Sequence, residues 1–143
     1  MFYSPLRYPG GKGKILSFMI DLIKLNSLDS IEYVEPYAGG AAVALGLLFN
    51  NMVSKIHIND SDIAISSFWY SILNYTDEFI DRIDNTPITI DEWHIQKKIY
   101  NNIEQYSKLD VGFSAFYLNR CNRSGVLKGG PIGGYNQDGK WKI

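Results

Sequence analysis

The apolar positions change period along the chain, and each change marks an element. Ile15, Leu16, Met19, Ile20 and Ile23 recur at helical spacing, which predicts an amphipathic helix. It follows a loop over residues 4–14 that Pro and Gly punctuate. Ile31 to Glu35 reads as a short apolar strand closed by Pro36. Gly39-Gly40 comes next, and Ala41 to Phe49 suits a buried helix. Lys55 to Asn59 reads as a second strand, with Ile56 and Ile58 on one face. Ile63 to Leu73 predicts a third helix whose apolar side carries Ile65, Phe68, Trp69 and Ile72.

The middle of the chain is helical in pattern. Thr76 to Ile83 gives a short helix, which Asp84-Asn85-Thr86-Pro87 breaks. Thr89 with Glu92 matches a capping box and opens a helix that runs to about Tyr106. Asp110 is the expected cap of another helix, carrying Phe113, Phe116 and Tyr117. Beyond Leu118 the periodicity stops. Six of the 13 glycines lie between Gly125 and Gly139, so turns and short ribbons are expected there.

Strand, Gly loop, helix, strand, helix is the opening of a doubly wound α/β sheet. Only two strands are convincing, however, and a parallel sheet needs more neighbours and helices on both faces. The expected fold is thus a partial Rossmann-like sheet followed by a helical and Gly-rich region.

Composition narrows the setting. The chain has 143 residues, 45% of them hydrophobic, and a formal net charge of −1. That is enough for one domain with a real core, and bulk charge does not mark a nucleic-acid binder. The charges are nevertheless polarised. Arg7, Lys12 and Lys14 occur before any acid, and Arg120, Arg123, Lys128, Lys140 and Lys142 face Asp138 alone at the other end. A single cysteine, Cys121, excludes an intrachain disulfide and fits a reducing compartment. No metal ligand set is present, and His57 and His94 read as structural or surface residues. With no signal peptide and no apolar run near membrane length, the expectation is a soluble, cytoplasmic chain.

Two stretches carry candidate chemistry. The first strand delivers Pro36-Tyr37-Ala38-Gly39-Gly40 into a helix N-terminus, where Gly-Gly lets backbone approach a ligand and free N–H groups are offered. About twenty residues later, Asn59-Asp60-Ser61-Asp62 places an acid where ribose hydroxyls could be bound. A dinucleotide fingerprint fails, because Ala41 and Ala44 stand where glycines are required. A Walker loop fails at Gly10-Gly11-Lys12, where Leu6 takes the first Gly position. Glu35 would repel pyrophosphate but suits a cationic, sulfonium-bearing amino acid. An ordinary βαβ turn with helix-capping acids is the competing explanation. The second stretch, Phe116 to Gly125, alternates amides and guanidinium groups in what reads as an exposed, Gly-punctuated segment. Such groups read base edges or hold phosphates; a polar loop covering a sheet edge is the alternative.

Arg7-Tyr8-Pro9-Gly10-Gly11-Lys12, then Glu35-Pro36-Tyr37-Ala38-Gly39-Gly40, then Asn59-Asp60-x-Asp62 resemble, in order and spacing, successive motifs of the Dam-type (D12 class) DNA adenine-N6 methyltransferases. The resemblance covers essentially the whole chain. It implies S-adenosylmethionine as cofactor, bound by Tyr8, Gly10, Gly11, Lys12, Glu35, Pro36, Tyr37, Ala38, Gly39 and Gly40. Asp60 or Asp62 would bind the ribose. Tyr8, Tyr37 and Ala41 depart mildly from the family pattern. The Leu118-Asn119-Arg120 segment and its Gly-rich continuation are similar to the family's target-recognition region. This implies double-stranded DNA as partner, with Asn119, Arg120, Asn122, Arg123, Ser124, Gly125 and Lys128 as contacts. Residues 1–75 would then be the front of the cofactor domain and 76–143 the target-recognition region.

One part of the family's machinery is missing. Adenine N6 is a poor nucleophile, its lone pair delocalised into the ring. The family answers with Asp-Pro-Pro-Tyr or a close variant, acting on a flipped base. The prolines here stand at 5, 9, 36, 87 and 131, so Pro-Pro occurs nowhere and no catalytic residue is assigned. The family's order puts that motif after the recognition region. The expectation is a front portion, inactive alone: a truncated gene, a split-enzyme half awaiting a C-terminal partner, or a shortened fragment of a modification or restriction-modification enzyme. A non-catalytic DNA-binding module is the alternative. A different nucleotide-using α/β enzyme, such as a small kinase, is disfavoured by the failed phosphate-loop tests.

Overall fold

A computed structural model describes residues 3–7 and 11–136. The chain separates into two compact units, Met1–Asp60 and Ser61–Ile143. The sequence had suggested a functional division at 75/76. The structural division falls earlier because the helix after the second strand packs with the helices that follow it.

The first unit is a βαβ arrangement preceded by a helix. A 3-10 turn, Lys12–Ile15, leads into α1, Leu16–Leu25. Strand β1 is Glu32–Glu35, α2 is Ala42–Phe49 and β2 is Lys55–Ile58. The strands pair in parallel, with Glu32 opposite Lys55 and Glu35 opposite Ile58. They are the only two strands among the described residues, and together they make a small parallel sheet. Period-2 alternation sets its faces. Tyr33 and Ile56 pack against the core formed by Ile23, Val43, Leu47 and Val53, as do Leu16, Met19 and Ile20 of α1. Glu32, Val34, Lys55 and His57 are exposed on the other face. There His57 Nε2 lies 2.7 Å from Glu32 and Lys55 lies 3.9 Å away. The His57 hydrogen bond first, and the Lys55 charge second, hold the Glu32 carboxyl below its ordinary value.

The second unit is helical: α3, Ile63–Asn74; α4, Thr76–Asn85; α5, Ile90–Asn101; and α6, Lys108–Cys121. Helix α6 is buried on nearly every side between α3 and α5, so its sequence shows little amphipathic contrast. Phe68, Phe79, Phe113 and Phe116 form an aromatic cluster, with ring centroids 5.6–6.1 Å apart. Tyr117 is buried, and its hydroxyl donates to the Pro87 carbonyl at 3.1 Å. Burial pushes its phenol well above the ordinary tyrosine range.

Several boundaries differ from the sequence pattern: α4 runs on to Asn85, past the expected end at Ile83, and three further differences affect caps and packing. Helix α5 stops at Asn101, and a separate 3-10 turn, Ile103–Gln105, carries Ile103, the apolar residue that keeps the helical period beyond it. The cap of α6 is Ser107 rather than Asp110. Its hydroxyl accepts from the Asp110 amide while the Asp110 carboxylate accepts from the Ser107 amide, a reciprocal box. Asp110 also pairs with Arg82 at 2.8 Å. Partial burial works to raise its pKa, but Ser107 and Arg82 outweigh it and leave the carboxyl below its ordinary value. Finally, α6 continues three residues past Leu118 and ends at Cys121, which turns part of the expected loop into core.

Close approach of α3 and α6 depends on Gly112. A Cβ there would sit 2.5 Å from the Ser67 carbonyl oxygen and 2.7 Å from Ser71 Oγ. Backbone cannot rotate away, so Gly112→Ala is expected to lower stability by about 2 kcal/mol through overpacking. Gly46→Ala meets only the Leu16 side chain, nearest atom 2.5 Å, which can turn; its cost should stay under about 1 kcal/mol. Urea denaturation of the two variants checks the ordering, and equal midpoints would contradict it.

Candidate functional site

The sequence motifs of the first unit converge where β1 enters α2. Glu35 ends the strand, points inward and is 3% exposed. Its Oε2 accepts from the Ala44 amide at 3.2 Å, so it satisfies one orphan donor of the first turn of α2. Its Oε1 forms an ion pair with Lys12 Nζ at 2.7 Å. The same ammonium donates to the Tyr37 carbonyl. Lys12 therefore ties the loop before α1 to the strand end and to the turn after it. Lys12 itself stays 42% exposed, so the pair opens to solvent on one side.

The turn between β1 and α2 is tightly specified. Gly39 adopts φ 50° and its amide donates to Asp60 Oδ2 at 2.7 Å. The Ala38 amide donates to the Asn59 carbonyl at 2.8 Å, and Asn59 Nδ2 donates to the Pro36 carbonyl at 3.2 Å. Ala41, fully buried, also has φ 50° and caps α2 without a side-chain hydrogen bond; left-handed backbone in a non-glycine residue is strain held by its surroundings. Gly40 is packed closely by the chain itself. A Cβ there would lie 2.3 Å from Ser4 Oγ and 3.3 Å from the Leu6 carbonyl oxygen. The close approach that requires glycine is thus to the N-terminal segment of the same chain.

Two carboxylates, Glu35 and Asp60, accept amide hydrogens at this strand–helix junction. Negative charge already occupies the place where a phosphate would bind. The electrostatics favour a ligand with a cationic group and hydroxyls over a nucleotide phosphate. Asp60 and Asp62 now separate. Asp60 belongs to this turn, whereas Asp62 is the N-cap of α3, accepting from the amides of Ala64 at 2.8 Å and Ile65 at 3.4 Å. Gly11, Pro36 and Tyr37 are exposed, and Ala38, Gly39 and Gly40 are buried. Tyr8 and Gly10 lie outside the described residues.

The second unit carries the other candidate stretch, and here exposure divides it. Asn119 and Asn122 are 1% and 0% exposed, which corrects the expectation of an exposed segment. Asn119 Nδ2 donates to the Gly125 carbonyl at 2.9 Å. Asn122 Nδ2 donates to the carbonyls of Val126 at 2.8 Å and Leu127 at 3.2 Å, and its Oδ1 accepts from Trp93 Nε1 at 2.7 Å. These amides hold the loop that follows them. The loop closes on itself through a bridge between Asn122 and Pro131, the Arg123 amide donating to the Gly130 carbonyl and the Ile132 amide to the Cys121 carbonyl. Gly125 is buried, Arg120 is half-buried with its guanidinium 5.5 Å from the Phe116 ring, and Arg123, Ser124 and Lys128 are exposed. Ser124 has φ 56°, which turns the chain at the tip. Tyr135 is 57% exposed and packs edge-on to Trp93. Trp141, Lys140 and Lys142 lie outside the described residues.

Three residues important to these arrangements had no role in the motif reading. Asn59 was part of a quoted motif, but its amide's role was not assigned. Trp93 and Lys97 lie on α5, far in sequence from the loop they support, and only the packing of α5 on α6 brings them there.

A family model described as D12 class N6 adenine-specific DNA methyltransferase matches residues 8–140. No curated protein matches the chain.

Proposed function

The chain belongs to the D12 class N6 adenine-specific DNA methyltransferase family, and from that premise we propose that it binds S-adenosylmethionine through its first unit and double-stranded DNA through its second. The observation carrying this reading is the buried Glu35 carboxylate, held between Lys12 and the first turn of α2, with Asp60 beside it on Gly39. A carboxylate pair of this kind suits a ligand bearing an ammonium, a sulfonium and ribose hydroxyls. Asp60, whose carboxylate sits at the Gly39 turn, is the better ribose candidate, while Asp62 caps α3. Tyr8, Gly10 and Gly11 complete the cofactor set by resemblance.

For DNA, Arg123, Ser124 and Lys128 are the exposed contacts, and Arg120 is half-exposed beside them in sequence. Asn119, Asn122 and Gly125 act from inside by shaping the loop. When bound, the cofactor supplies the methyl group for adenine N6. These 143 residues hold no Asp-Pro-Pro-Tyr or equivalent, and by themselves they do not turn over. The DNA loop is closed by contacts within its own unit, which leaves a non-catalytic DNA-binding module as the second reading.

Titration calorimetry with S-adenosylmethionine on wild type and Lys12→Ala tests the cofactor site: heat of binding is expected for the first and a marked loss for the second. Absence of heat from both would refute cofactor binding by this chain. Salt-dependent duplex binding that is indifferent to the cofactor would favour the module. Methyl transfer to DNA by the isolated chain would overturn the inactivity.

A further inference from the structure

Lys97 is a cation that the family motifs do not use. It projects from α5 with its ammonium 2.8 Å from the Leu127 carbonyl oxygen and 3.3 Å from that of Gly129. The Nζ also lies 5.7 Å from the centroid of the Trp93 ring and 5.3 Å from that of Tyr100. None of the ion pairs among the described residues includes it. A strongly hydrated ammonium on a solvated helix face would ordinarily stay in water. This one is half-buried, and desolvation lowers its affinity for a proton.

Its two carbonyl partners stand on either side of one residue, Lys128, which is exposed. The ammonium thus fixes the peptide unit that joins Leu127 to Lys128 and the one that joins Gly129 to Gly130. Asn122 Nδ2 donates to the carbonyls of Val126 and Leu127, so it shares the Leu127 carbonyl with Lys97. The backbone around Lys128 is held from the interior by groups that leave its own side chain in solvent.

We propose that Lys97 is a positioning residue for nucleic-acid recognition, clamping the backbone on both sides of Lys128 so that this lysine is presented to a DNA phosphate in a fixed register. The proposal rests on the DNA-binding reading above. Phosphate contacts set register on the duplex, and a lysine held by an ordered backbone loses less freedom on binding than one on a mobile loop.

Two measurements on the full 143-residue chain test it. The first needs no DNA: hydrogen exchange of the Gly129 and Arg123 amides, which close this loop onto Val126 and Gly130. Lys97→Met should speed their exchange roughly tenfold or more, while amides in the middle of α3 stay protected. Unchanged exchange would overturn the clamp.

The second is fluorescence anisotropy with a duplex of random sequence, across a salt series. Lys128→Ala should lower the salt slope by about one. Lys97→Met should weaken binding by about the same factor, the double variant should be no worse than either single one, and Lys97→Arg should restore part of the loss. Additive losses, or Lys97→Met binding like wild type, would overturn the link to recognition even if exchange had changed. A wild-type chain with no salt-dependent duplex binding would instead sink the DNA reading itself, with loop exchange still deciding whether Lys97 is a clamp.

Discussion

Lys12→Met is expected to lower the stability of the chain by about 3 kcal/mol and to weaken S-adenosylmethionine binding by roughly tenfold or more. The stability loss follows from what the substitution leaves behind. Glu35 is 3% exposed, and one of its oxygens relies on Lys12 at 2.7 Å. Removing one member of a pair that holds a buried charge costs about 3–5 kcal/mol. The lower end applies here, since Lys12 is 42% exposed and water can take its place. Lys12→Met/Glu35→Leu should recover much of the stability, with no charge left to solvate, yet bind no cofactor. Urea unfolding gives the first quantity and calorimetry the second. A single variant as stable as wild type would mean that Glu35 is satisfied without Lys12.

That pair also shows what the sequence could and could not say. The motifs placed Lys12 and Glu35 together in one cofactor set, yet gave no sign that they bind each other across 23 positions. Local signals did well where local physics decides. The Gly39-Gly40 turn, the parallel strands around it and the acid after the second strand were all legible, because strand periodicity and turn residues act over a few positions. Ile103 misled the end of α5: it keeps helical spacing, but the backbone has already turned at Asn102, φ −129°. Asp110 was recognised as a capping residue with the partner reversed, since both halves of a capping box are polar and only the backbone identifies the cap.

The surroundings of Gly40 and Asn122 were not legible, for a different reason. A glycine signals close approach, but it does not name what approaches; here it is Ser4 and the Leu6 carbonyl. An asparagine near a chain turn is usually exposed, and nothing local distinguishes one whose partners are an indole 29 positions away and two carbonyls in the next loop. The consequence for residues 119–128 is a division of labour. The guanidinium of Arg123 and the ammonium of Lys128 face solvent, and the amides between them and the helix are structural.

Asn122→Ala measures that division, with an expected loss of about 3 kcal/mol. Three hydrogen bonds disappear, but they do not weigh equally. Val126 is exposed and Leu127 half-buried, so water can reach the carbonyls the amide leaves. The Trp93 side chain is 3% exposed, and its N–H would be left buried with no acceptor, which alone costs about 1–3 kcal/mol. The lost amide volume in a fully buried site adds to this. Asn122→Asp separates the contributions. It keeps an acceptor for the indole but turns a carboxylate oxygen toward the carbonyls of Val126 and Leu127, and should be at least as damaging as alanine. Denaturant midpoints give the ordering, and the Trp93 indole proton resonance reports directly on its hydrogen bond. If Asn122→Ala shifts neither the midpoint nor that resonance, the buried amide does not anchor the loop, and exposure of Arg123 and Lys128 must be maintained some other way.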